Sequence, residues 1–276
     1  MPCSLFFRLQ YSGLTFAQGL PFWYNSPMPH DTMTPLSHDE IREYLHRQML
    51  SSVSHDLKTP LATIIGSLEV MTMLYDKLPE EKRRSLISSA LTEAFRLDYF
   101  ITNILDMAKF EADAVRPRFE ATRLSQMVQD SLTRLGPLKT RGELVVHPAR
   151  GGDDIVTDSL LGARAIGLVL HNAYKHGAPK GSSEAPRIEV DYRMQDGKGV
   201  VHIRDRGDGI PPDQQTAVFD KYTRLQKADQ QNAGTGLGLT ICSHIMRLLD
   251  GTISVTNHPE GGAQFTLTYA NHRKAA

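Results

Sequence analysis

Apolar residues in the first part of the chain recur in steps of three and four. The series Leu50, Val53, Leu57, Leu61, Ile64, Leu68, Met71 is a heptad seam with one stutter. It predicts one long helix over 37–76, which Ser37 or Asp39 can cap, with Glu40 adding favourable charge in the first turn. Pro60 lies inside this run; it removes a backbone donor and is expected to bend the helix locally. Leu78-Pro79-Glu80-Glu81 is a restart signal, with Pro near the first turn and acids behind it. The second helix is expected to reach about Ala112, with the seam Ile87, Ala90, Ala94, Leu97, Ile101, Ile104, Ala108. Two helices joined by a short turn make an antiparallel hairpin. One hairpin leaves a wide apolar face uncovered, and two hairpins pairing as a four-helix bundle bury it. A homodimer is therefore expected.

The pattern changes near Arg116-Pro117-Arg118. Beyond it, helical periodicity over Leu124–Leu135, Ser159–His176 and Leu237–Leu249 is mixed with strand patterns. The strands are expected at Glu143–His147, Arg187–Arg193, Val200–Asp205, Thr252–Thr256 and Ala263–Tyr269. Asp196-Gly197-Lys198-Gly199 between two of them reads as a hairpin turn. Gly162 and Gly167 sit within the second of these helices. The fold class expected is α+β with two domains: a helical hairpin, then helices layered on a mixed sheet as an α/β sandwich. The expected divisions are a poorly ordered segment over 1–36, the hairpin over 37–113, a linker over 114–120, the second domain over 121–271 and a tail over 272–276. There is no internal repeat.

Composition narrows the partners. The chain has 276 residues, 40% hydrophobic and 22% charged, enough to bury a core. Lys plus Arg equals Asp plus Glu at 31 each, so no global field points to nucleic acid or an anionic membrane. Cys3 and Cys242 are the two cysteines, too few for a disulfide framework or a zinc site of their own. They read as free thiols in a reducing, cytoplasmic compartment. No stretch reads as the unbroken apolar run of roughly 18–20 residues that a membrane span requires. There is no Gly-x-x-x-x-Gly-Lys-Ser/Thr loop, which excludes a P-loop, and no Gly-x-Gly-x-x-Gly opening an early strand–turn–helix unit.

With Leu50 at heptad position a, His55 falls at f on the outer face of its helix. A neutral imidazole is a good nucleophile near neutral pH, and a neighbouring carboxylate can hold one ring proton and leave the other nitrogen free to attack. The string Ser54-His55-Asp56-Leu57-Lys58-Thr59-Pro60-Leu61 resembles the phosphoacceptor box of sensor histidine kinases. Four further strings follow in order. His171-Asn172-Ala173-Tyr174-Lys175-His176 resembles the N box of that family's ATP-binding domain, whose fold is shared with gyrase and MutL ATPases. Asp205-Arg206-Gly207-Asp208-Gly209-Ile210 resembles the G1 box, Val218-Phe219-Asp220-Lys221-Tyr222-Thr223-Arg224 the F box, and Gly234-Thr235-Gly236-Leu237-Gly238-Leu239 the G2 box. The polar stretch 226–232 before the last reads as a lid. Leu168 stands where many members have Asn, and His176 where an aromatic is usual.

The resemblance, over roughly residues 45–270, implies a histidine kinase core that uses ATP and Mg²⁺. His55 is then the phosphoacceptor, Asp56 the carboxylate that orients it, and Thr59 the residue that positions water when phosphate is removed from the partner. By the same resemblance Asn172 binds Mg²⁺, and Lys175 and His176 lie by the phosphates. Asp205 accepts the adenine amino hydrogens beside Gly207 and Gly209, Phe219 anchors the lid and Arg224 orients phosphate. Gly234, Thr235, Gly236, Leu237 and Gly238 offer backbone N–H groups ahead of a helix, a setting that favours negative charge. The implied partners are a second copy of the chain and the receiver domain of a response regulator, whose Asp takes the phosphoryl group. Two other readings stay open: a catalytically degenerate dimeric scaffold, and a gyrase or MutL-type ATPase without autophosphorylation.

Overall fold

The structure is a computed structural model and describes residues 57–149, 151–179, 181, 184–220 and 236–273, all within one compact unit over 48–276. The expectations for residues 1–36, the start of the first helix, His55, Asp56, Arg224, Gly234, Thr235 and the lid stretch lie outside the described residues.

Residues 57–74 are helical (α1), and the helix runs unbroken through Pro60, which is buried. A 3₁₀ turn at Tyr75–Lys77 follows, then α2 over Glu80–Glu111. Against the expectation of no spanning segment, Leu57–Lys77 is the one helix among the described residues that is long and apolar enough to cross a membrane, by length and composition alone. Small uncharged residues, Ala62, Thr63, Gly66 and Ser67, break the run of large apolar side chains without adding charge.

The expected seams divide. On α1, Pro60 and Ser67 are buried and Ile64 and Met71 half-buried, while Leu61 and Leu68 stay exposed. On α2, Ile87, Ala94, Ile101 and Ala108 are exposed, and the most deeply buried residues are Asn103 and Met107, off the seam. The reason is that α2 has two apolar faces, one turned outward and one laid against the α/β layer.

That layer begins with a two-stranded antiparallel sheet missed in the sequence, β1 (Glu120–Arg123) with β3 (Asp154–Thr157). Four-residue strands are too short to show a clear alternation. Between them come α3 (Leu124–Arg134), a 3₁₀ turn at Gly136–Arg141 and β2 (Glu143–His147). Asp153 fastens the start of α3: its carbonyl accepts the Leu124 N–H at 3.0 Å and its Oδ2 the Ser125 N–H at 2.8 Å. Next come α4 (Ser159–His176), β4 (Arg187–Gln195), β5 (Lys198–Arg204), α5 (Gly238–Leu248), β6 (Thr252–Asn257) and β7 (Ala263–Tyr269). The main sheet has the order β2-β4-β5-β7-β6, with β2 parallel to β4 and the other pairs antiparallel. It is the mixed sheet expected.

The β4–β5 hairpin closes through Asp196 and Gly197, both at positive φ (51° and 74°), which is why Asp-Gly suits a two-residue turn. Alternate residues Ile188, Val190, Tyr192 on β4, Val201 and Ile203 on β5, and Phe265, Leu267, Tyr269 on β7 are buried with the apolar faces of α3, α4 and α5 in one core. Each such large side chain stabilises the fold by about 1.5–3 kcal/mol. Gly162 lets α3 and α4 meet: a Cβ there would lie 2.3 Å from Met127 Cε, and its carbonyl accepts the Tyr269 hydroxyl at 3.1 Å.

Candidate functional site

The site grows from the end of β5. Asp205 is buried, and its Oδ1 accepts backbone N–H groups from Gly207 and Ala263, each at 3.0 Å. Both bonds fall on Oδ1, so Oδ2 takes neither. Burial pushes the carboxyl pKa up, while the two N–H donors and Arg204 pull it down. Three glycines permit this closeness. A Cβ on Gly207 would lie 2.1 Å from the His176 carbonyl oxygen, one on Gly177 would lie 2.2 Å from the Ala173 carbonyl oxygen and 3.0 Å from Asp205 Cβ, and one on Gly262 would lie 2.0 Å from the Asp205 carbonyl oxygen. The end of α4, which carries Asn172, Lys175 and His176, therefore lies directly against the Asp205–Gly209 loop. Asn172 and Lys175 are half-buried and His176 is exposed.

Gly209 takes φ +73°, and a Cβ there would lie 2.8 Å from Asn257 Oδ1. The Asn257 side chain makes two bonds to Ile210: Oδ1 accepts its N–H and Nδ2 donates to its carbonyl, each at 2.8 Å. Gln215 Nε2 donates to the same carbonyl at 3.2 Å. Asn257, Gly177, Gly262 and Ala263 were not picked out as site residues in the sequence; Asn257 lies there one residue past the expected strand Thr252–Thr256, before a Pro-Glu-Gly-Gly turn.

At the other side, Gly236 has φ +66° and Leu237, fully buried, precedes α5 with no side-chain cap. A Cβ on Gly238 would sit 3.2 Å from Tyr99 Oη and 3.9 Å from Leu168 Cδ2, so the start of α5 meets both α2 and the middle of α4. Leu168 is buried in the core. Phe219, in a 3₁₀ turn over Ala217–Phe219, packs half-buried on the core, and Thr240 Oγ1 ties α5 to the next residue by donating to the Asp220 carbonyl at 3.0 Å. Asp158, the N-cap of α4, accepts from Leu161 N–H at 2.9 Å and from Arg118 N–H at 2.8 Å; both its oxygens serve the fold. Thr59 is exposed on α1, where its carbonyl accepts Thr63 Oγ1 at 3.2 Å.

The inward face of α2 reaches this cluster. Tyr99 stacks on His171, with centroids 3.7 Å apart and planes within 5°. Arg164 of α4 donates through Nε to Asp106 Oδ2 at 3.0 Å and through Nη2 to Asn103 Oδ1 at 2.6 Å. Phe110 stacks on His244 of α5 at 5.8 Å, and the Phe95 ring lies against Gly136. Burial, then the nearby charges of Lys175, Arg164, His176 and Arg96, pushes the His171 pKa down to about 3, so its ring is neutral at pH 7. Burial also raises the Tyr99 pKa.

Two family models match the chain. The His Kinase A (phospho-acceptor) domain matches residues 45–113, and the histidine kinase-, DNA gyrase B- and HSP90-like ATPase matches residues 157–273. Together they take in more than half of the chain. It belongs to the sensor histidine kinase family. Its ATPase region is an ATP-binding module of that family. Sensor protein KdpD of Escherichia coli (strain K12) is 30% identical over 229 residues, covering 82% of this chain and 24% of that protein. Sensor-like histidine kinase SenX3 of Mycolicibacterium smegmatis is 27% identical over 228 residues, covering 82% of this chain and 58% of that protein. The chain thus spans less than two thirds of the length of these curated relatives. Among solved structures, histidine kinase ThkA in complex with response regulator protein TrrA has a TM-score of 0.56 at 17% identity, over 84% of this chain and 64% of that one, a likeness of fold.

Proposed function

We propose that this chain is the catalytic core of a sensor histidine kinase that phosphorylates its own His55 from ATP. The observation that carries this is the buried Asp205 carboxylate, held on Oδ1 by two backbone N–H groups in a glycine-lined loop against the end of α4, in a chain that also matches a phosphoacceptor hairpin over residues 45–113. Asp205 Oδ2 accepts the adenine amino group, a role that suits a buried acceptor. Asn172 presents an amide oxygen to the Mg²⁺ that arrives with ATP, a hard ligand for a hard ion, and Lys175 lies toward the phosphates with His176. The start of α5 at Gly236-Leu237-Gly238 takes the phosphate oxygens, at a helix end that favours negative charge, joined by Gly234 and Thr235. Phe219 anchors the lid and Arg224 orients phosphate. Catalysis of this kind is mostly positioning and electrostatics.

In the transfer, a His55 ring nitrogen bonds to the γ-phosphorus and the bond from that phosphorus to the bridging oxygen breaks, releasing ADP. Asp56 holds the proton on the other ring nitrogen. The phosphoryl group then passes to an Asp of a response-regulator receiver domain; ThkA, of like fold, is described in complex with such a regulator. Thr59 positions water when the regulator is dephosphorylated. The kinase works as a homodimer, which the exposed Leu61, Ile65, Leu68, Ile87, Leu91, Ile101 and Leu105 support, because two copies would bury that face. It acts on the cytoplasmic side, where ATP is available.

Incubation with γ-labelled ATP and Mg²⁺, beside His55→Ala, tests the reading. Acid-labile, base-stable label absent from the variant is expected. ATP binding without label would favour the scaffold reading, for which Leu168, apolar and buried inside the N-box helix, is the supporting observation. Phosphate release without a phosphoprotein would favour the gyrase or MutL-type ATPase.

A further inference from the structure

Asn257 and Ala263 face each other as partners in the β6–β7 ladder, and each grips one end of the same loop. Ala263 N–H donates to Asp205 Oδ1 at 3.0 Å, and its carbonyl accepts the Asp205 N–H at 2.9 Å. Asn257 accepts the Ile210 N–H and donates to the Ile210 carbonyl, each at 2.8 Å. Ile210 is buried and belongs to no strand, so its two backbone groups have no ladder to join and need partners from elsewhere. One side-chain amide supplies both. Only one amide orientation does so, since the flipped one would set two donors and two acceptors face to face. The turn between the partners is closed by its own bonds, His258 N–H to Gly262 carbonyl at 3.0 Å and Gly261 N–H to His258 carbonyl at 2.9 Å. Glu260 adds an ion pair to Arg204 at 3.0 Å. The frame is thus fixed before any ligand arrives.

We infer that Asn257 is a positioning residue for adenine recognition: with its cross-strand partner Ala263 it clamps both ends of the Asp205–Ile210 loop and so sets where the Asp205 carboxylate points. This rests on the reading of Asp205 as the adenine acceptor. Gly209 belongs to the same device, because its positive φ and its closeness to Asn257 Oδ1 leave no room for a side chain. Asn257 itself is exposed at the end of β6, so trimming it opens no cavity in the core. A preformed acceptor binds better because ligand binding need not order it.

The test uses the full chain and compares wild type, Asn257→Ala and Asp205→Asn. Calorimetry measures binding of ADP and of inorganic tripolyphosphate, and melting is followed without ligand. Asn257→Ala is expected to weaken ADP binding about fivefold, with tripolyphosphate affinity within about twofold and the melting temperature within about 3 °C of wild type. Equal losses for both ligands would make Asn257 a general brace and overturn the inference. Unchanged ADP affinity, beside a loss in Asp205→Asn, would overturn the inference and leave the adenine reading standing. Unchanged affinity in Asp205→Asn would overturn that reading and the inference with it. Should Asn257→Ala fold poorly, hydrogen exchange in wild type decides: the Ile210 amide is expected to exchange slowly, and an unprotected amide overturns the clamp.

Discussion

His171 carries no charge at neutral pH because its half-buried ring is desolvated against Tyr99 and lies among the cationic groups Lys175, Arg164, His176 and Arg96. Its pKa is pushed down to about 3, against roughly 6.5 for the free side chain. As pH falls, the unfolded chain takes up this proton first. The stabilisation is therefore complete above about pH 6.5 and is lost progressively from there toward pH 3. His171→Phe keeps a ring on Tyr99 and removes the titration. The melting temperature of wild type is expected to fall more steeply than that of His171→Phe between about pH 6.5 and pH 4. Parallel curves would mean that His171 is protonated in the folded protein. At this scale the sequence was partly legible. Asp205, Gly207 and Gly209 were legible only in company, because Asp and Gly after a strand are ordinary turn residues and it is the ordered set of strings around them that singles them out. Asn257 was not legible, because what it does depends on a loop some fifty residues away in the chain.

At the scale of elements, α2 and α4 are joined by one cation. Arg164 serves Asp106 and Asn103 together, and Asn103 is fully buried. Arg164→Ala would leave a buried amide and a mostly buried carboxylate without their donor, at a cost of about 1–2 kcal/mol. Urea unfolding is expected to show that loss. It is expected to be much smaller when Arg164→Ala is made in an Asn103→Leu, Asp106→Leu background, and additive effects would mean that the three side chains do not act together. The main strands and helices were legible from period alone, to within a few residues at their ends. The heptad seam of α2 was legible only as a set of apolar positions, since period does not say which neighbour covers each: Ala90 is buried, Leu97 and Ile104 half-buried, and Ile87 and Ile101 face outward. An Asn among apolar positions and an Arg within an apolar helix were the signals for the second face, and each is ambiguous until the partner is known.

For the whole molecule, the proposed assembly rests on the outward face of the two helices. Leu68 and Leu105 are about half exposed in a single chain (52% and 54%). On the homodimer proposed above, wild type is expected to sediment as a dimer and Leu68→Glu with Leu105→Glu as a folded monomer. A dimer that survives both charges would place the interface elsewhere. The opposite face of α2 has a mechanical property of its own. Phe95, Tyr99, Asn103 and Met107 are spaced four residues apart, and each meets the α/β layer or its core. Rows of this spacing run obliquely, at roughly 26° to the helix axis. The contact is therefore threaded rather than straight: a layer kept in register with this row would have to turn as it moved along α2.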